Sequence, residues 1–121
     1  MTPTVHKIKR YSVQVLSKRT GNDKRVSVIV RLYNEEDKTC GLAVFKDYGD
    51  EVAERPVGDY PARSATVYYD IDFYQPFIEM LRHEAELFWK IAWVQMGPNR
   101  TAADVSLDTK KEIIGEFFQR M

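Results

Sequence analysis

The chain is poor in the residues that most often carry chemistry. A single cysteine, Cys40, excludes an intramolecular disulfide and a cysteine-built zinc site. It lies in an apolar strand-like run, where a small buried filler is the expected role. Only His6 and His83 can serve as neutral-pH bases or imidazole ligands. Serine nucleophile elbows, phosphate-cradling glycine loops and dinucleotide fingerprints are absent, because Gly41, Gly49 and Gly58 are too scattered to form one. The longest apolar run, Leu87 to Val94, is interrupted by Lys90 and is too short to span a bilayer. The first ten residues lack the apolar core of a secretion signal, so no membrane partner and a cytoplasmic location are expected. Net charge is missing too. Eighteen Lys/Arg balance eighteen Asp/Glu, which argues against coating nucleic acid through bulk charge.

What is present is asymmetric. Residues 1–46 hold ten Lys/Arg against four Asp/Glu, and the remainder holds eight against fourteen. At 121 residues the chain is expected to form a single domain over 1–121, with a real hydrophobic core. The first half alternates with period two. Tyr11, Val13 and Val15 share one face of a first strand, and Val26, Val28, Val30 and Leu32 one face of a second. With Gly21-Asn22 as the hairpin loop, Val15 faces Val28, Val13 faces Val30 and Tyr11 faces Leu32. A slip of one residue would set valines against serine and arginine, which one-sided burial forbids. A third strand, Cys40 to Lys46, is apolar on both faces, so its orientation is open and a central position is expected. Residues 47–64 read as a long loop, with a short strand near Val52 as an option. A fourth strand, Ala65 to Ile71, turns Ala65, Val67, Tyr69 and Ile71 inward.

From Asp72 the apolar spacing reads as 3.6. It predicts a long helix over 72–96, capped by Asp72 or starting nearer Pro76, and stopped by Gly97-Pro98. Ser106 or Asp108 then caps a C-terminal helix over 106–120 carrying Ile113, Ile114, Phe117 and Phe118. The expected fold is α+β: an antiparallel sheet of four to five strands packed by one long helix, with a shorter C-terminal helix. That element order resembles Whirly-type single-stranded DNA-binding domains. No residue motif accompanies the likeness, so it implies no site residues.

Three candidate surfaces follow. Arg10, Arg25, Arg31, Tyr33 and Tyr68 form an arginine–tyrosine patch on the outward sheet face, the pairing that single-stranded nucleic acid requires. Ile29, Leu42, Val44 and Trp93 are candidate interface residues, Trp93 because it falls toward the polar margin of the expected helix. Glu79, His83 and Glu86 have ligand-like helical spacing, but ordinary solvated pairs account for it. Asp70 and Asp72 are read as a strand-end acid and a helix cap rather than a metal site. The expected function is a small non-enzymatic interaction module, homo-oligomeric, with no metal or cofactor. The partner is a second copy or another protein, and the alternative is a single-stranded nucleic-acid binder.

Overall fold

The computed structural model describes residues 2–17, 26–49 and 51–109. It contains seven strands, β1 (Thr4–Ser17), β2 (Val26–Asn34), β3 (Thr39–Lys46), β4 (Val57–Asp59), β5 (Ser64–Asp70), β6 (Phe88–Met96) and β7 (Asn99–Asp108). The one α-helix among the described residues, α1 (Tyr74–His83), follows a 3-10 turn over Ile71–Phe73. The strands form one mixed sheet in the order β4-β5-β3-β2-β1-β6-β7.

The β1–β2 register is the one that period-two burial dictates. Val15 faces Val28, Val13 faces Val30 and Tyr11 faces Leu32. The proposed turn at Gly21-Asn22 lies outside the described residues. Pairing also orients β3, which the sequence left open. Gly41, Ala43 and Phe45 lie inward with Leu32, Val30 and Val28, while Leu42 and Val44 lie outward beside Arg31 and Ile29. Next comes β5, with Ala65 and Val67 buried, and it runs parallel to β3 rather than antiparallel. The expected strand near Val52 is absent from the described residues. Val52 is exposed, and the strand in that loop is β4, further along.

The expected all-antiparallel sheet under a long helix is therefore incorrect, and the resemblance to Whirly-type domains falls with it. The helix stops at His83, and residues 88–96 are a strand buried on both faces over its first half. An apolar run broken only by Lys90 satisfies helical and buried-strand patterns equally, so spacing could not separate them. The aromatic and β-branched content of Phe88, Trp89, Ile91, Trp93 and Val94 favours the strand. Pairing to Thr4–Lys7 on one side and to β7 on the other then overrides the helix propensity of Glu84-Ala85-Glu86. Gly97-Pro98 acts as a hairpin turn. Gly97 has φ 60°, and the two-residue loop joins Met96 to Asn99, as a glycine-first turn requires. Ser106 and Asp108, expected as helix caps, lie in β7, where the Ser106 hydroxyl donates to Asp108 Oδ2 at 2.5 Å. Residues 110–120 of the expected C-terminal helix lie outside the described residues.

The sheet curls until its two ends meet, with β4 lying against β7, so the seven strands nearly close a barrel. Gly58 makes this approach possible. A Cβ there would sit 2.7 Å from Trp93 Cζ3 and 2.8 Å from Ala102 Cβ. Inside, Trp89, Phe45, Leu32, Ile91 and Val30 are fully buried. Helix α1 covers this interior with Phe77, Ile78 and Leu81, and the Phe77 ring meets Phe45 at 5.2 Å and Trp89 at 6.5 Å. Asp70 ends β5 and accepts the Asp72 N–H at 3.1 Å. It is the cap that Asp72 was expected to supply. No helix among the described residues is long and apolar enough to cross a membrane.

Candidate functional site

Register places Arg10, Arg31, Tyr33 and Tyr68 on one outer face, but the Arg10 charge is already engaged. Arg10 lies opposite Tyr33, and its guanidinium carbon stands 3.7 Å from the Tyr33 ring centre. Its Nε also donates to Asp37 Oδ1 at 2.8 Å. That hydrogen bond raises Arg10 and holds Asp37 below the usual carboxylate range. Asp37 reaches it from a left-handed turn position, φ 63°, which aspartate tolerates better than most residues. Hydrogen bonding with Ser12, and then the Arg10 charge, lowers Tyr33. Tyr68 lies under Lys46 Nζ at 5.4 Å, and Lys46 pairs with Glu54 at 3.8 Å. Arg31 is exposed, with no carboxylate at ion-pair distance among the described residues, whereas Arg25 lies outside them. The patch thus retains one arginine, Arg31, without an ion-pair partner among the described residues.

The expected interface residues divide. Ile29 and Leu42 are half-buried on the outer face, and Val44 is buried there. Trp93 is a core residue and presents no surface to a partner. Its Nε1–H donates to Thr4 Oγ1 at 2.9 Å, and its ring meets Tyr60 edge-on at 5.1 Å. The assumption of a helix placed it at a polar margin; as a strand residue it points into the barrel.

Side chains with catalytic potential are held by the fold. His6 Nε2 lies 2.6 Å from the Arg63 carbonyl, so it is the protonated nitrogen, and Nδ1 accepts from Asn34 Nδ2 at 3.4 Å. Burial pushes the Cys40 thiol up to about 12, and its Sγ donates to the Leu32 carbonyl at 3.6 Å. Because α1 ends at His83, the Glu79, His83, Glu86 spacing is broken. Glu86 sits beyond the helix and pairs with Lys7 at 3.4 Å.

Two features stand apart, and the sequence pattern marked neither. The first is the free part of β1. Its pairing with β6 covers only Thr4 to Lys7, after which the Ile8 N–H donates to the Leu87 carbonyl at 2.9 Å. Past that point no described strand pairs with β1 on the side away from β2. Val13 and Val15 are 40% and 65% exposed there, although their partners Val30 and Val28 are buried. A groove of about 330 Å³ opens where β1 and β6 diverge, lined by Ile8, Tyr11, Leu81 and Leu87 among others.

The second feature is a cationic cluster at the barrel seam. Arg63 and Arg100 place their guanidinium carbons 5.6 and 4.3 Å from the centre of the Tyr60 ring. Among the described residues neither arginine has a carboxylate at ion-pair distance. Arg63 has φ 54°, a conformation costing a residue with a Cβ on the order of 1 kcal/mol. Its N–H donates to the Tyr60 carbonyl at 3.1 Å, and its own carbonyl takes the His6 bond. Tyr60 and Arg63 belong to one turn and could have been paired by eye. Arg100 joins them only through the approach of β4 to β7, which no local pattern announces. No protein-family model, curated protein or solved structure matches the chain.

Proposed function

We propose that the chain is a non-enzymatic interaction module that associates with a second copy of itself through the free edge of β1. The observation that carries this reading is an unpaired strand edge with exposed Val13 and Val15 on an otherwise buried face. Exposed, apolar strand edges template further strands unless charge, proline or a bulge blocks them, and Ser12 to Leu16 contain none of these.

The edge is self-complementary. In an antiparallel pair about a twofold axis at Val13, the two Val13 residues meet and Tyr11 of one copy faces Val15 of the other. On the opposite face Ser12 meets Gln14 and Arg10 meets Leu16, so no like charges come together. The nearby groove gives each copy room at the entrance to the edge. The engagement of His6 and Cys40 in structural bonds supports the non-enzymatic part of the reading. A contact of a few strand residues falls short of the roughly 800 Å² per partner of stable interfaces, so reversible association is expected.

Light scattering and sedimentation across the micromolar range test this. The wild type should dimerise with concentration, and Val13→Lys should stay monomeric with an unchanged circular dichroism spectrum. A wild type that remains monomeric throughout would refute the reading, as would a Val13→Lys variant that dimerises normally.

A further inference from the structure

We propose that Arg100, which lines the groove between the β4–β5 turn and the β6–β7 hairpin, and Arg63, beside it on the Tyr60 ring, bind phosphate groups of single-stranded nucleic acid. The site is separate from the β1 edge and does not depend on dimerisation.

The cluster is built rather than incidental. Two guanidinium groups share one tyrosine ring, and the ring is braced edge-on by buried Trp93. Trp93 is itself fixed by its bond to Thr4. A guanidinium held over a ring by cation–π attraction keeps N–H donors for an anion. Neither guanidinium forms an ion pair with a carboxylate among the described residues, which leaves both charges available to an incoming phosphate. Arg63 supplies the independent sign. Its left-handed backbone suits glycine, yet arginine stands there, with its carbonyl clamped by His6. Strain retained at a charged side chain points to a use for that side chain.

The groove selects the ligand class. It has a volume of about 740 Å³ and is open along the surface, so it cannot enclose a small phosphate compound as a pocket would. Affinity must then come from repeated contacts along a strand. Pro61, Pro98 and Met96 line the groove and offer apolar contact to bases, while Asn99 and Thr101 offer hydrogen bonds. Asp59 also lines it, with its carboxylate accepting the Ala62 N–H at 3.5 Å.

The test is fluorescence anisotropy of a labelled oligothymidine titrated with the full chain. Two phosphate contacts on a single strand predict a log–log salt slope of about −1.4, or about sevenfold weaker binding at ~200 mM than at ~50 mM salt. Arg100→Gln and Arg63→Gly should each weaken binding severalfold and bring the slope toward about −0.7. Arg63→Gly should also leave the thermal midpoint unchanged or raised, because glycine accepts the left-handed turn and keeps the carbonyl for His6. No binding at low salt, or binding indifferent to both substitutions, overturns the proposal. Inorganic phosphate or polyglutamate displacing the probe as well as unlabelled oligothymidine, at equal anion concentration, overturns the nucleic-acid assignment.

Discussion

Replacing Gly41 by alanine tests whether the barrel interior is filled as described. The new Cβ would stand 2.4 Å from Trp89 Nε1 and 2.5 Å from Trp89 Cε2, and Trp89 is fully buried. Neither atom is the end of a flexible chain, so the ring or strand β3 must move. Overpacking of this kind costs about 1–3 kcal/mol. Alanine offsets about 0.4–1 kcal/mol of it by restricting the unfolded chain. A net loss of about 1.3 kcal/mol lowers the melting temperature of a chain this size by about 5 °C. Thermal and urea unfolding of Gly41→Ala, Trp89→Phe and the double variant isolates the contact. Trp89→Phe removes the crowded pyrrole edge, together with an indole N–H that has no acceptor among the described residues. Alanine at position 41 should then cost less than half as much beside phenylalanine as beside tryptophan. An equal cost in both backgrounds, or a stabilised single variant, would refute the packing argument.

Thr4 and Cys40 supply further outcomes. Thr4→Val strands the buried Trp93 N–H and should cost about 1–3 kcal/mol in urea unfolding, whereas Thr4→Ser keeps the acceptor and should cost well under that. Cys40 should resist thiol reagents in the native state and react in step with unfolding. Because its native pKa is raised to about 12, the stability it contributes is complete below the ionisation of the unfolded thiol and is lost as pH rises toward 12. The stability difference between wild type and Cys40→Ala should therefore shift against the wild type above about pH 9.

The legible part of the fold was the part governed by one-sided burial. Val28, Val30 and Leu32 against Val15, Val13 and Tyr11 admit one register, and Ala65, Val67 and Tyr69 declare their inward face. Where burial is two-sided the signal fails. Phe88 to Trp93 is buried on nearly every position, Lys90 included, and pairing with β7 on one side and with distant Thr4–Lys7 on the other makes it a strand. The parallel β3–β5 pairing and the β4–β7 seam are equally non-local, so the approach of Arg100 to Tyr60 and Arg63 had no local signature. Four members of the arginine–tyrosine patch, Arg10, Arg31, Tyr33 and Tyr68, share one outer face, and Arg25 lies outside the described residues. The compensation of the patch by Asp37 and Glu54 depends on turn and loop geometry that period two does not reach.

The bond from Trp93 to Thr4 spans 89 positions of sequence. Closing so long a loop costs about 2 kcal/mol more in chain entropy than closing one of about ten residues. The β1–β2–β3 meander can form from neighbouring segments, but Thr4–Lys7 lie beyond the pairing of β1 with β2 and have no strand neighbour until β6 exists. Barrel closure is thus expected late in folding, and a nascent chain is expected to carry the edge of β1 away from β2 uncovered until nearly all of the described sequence has been made. Thr4→Val should accordingly speed unfolding and leave the refolding rate almost unchanged.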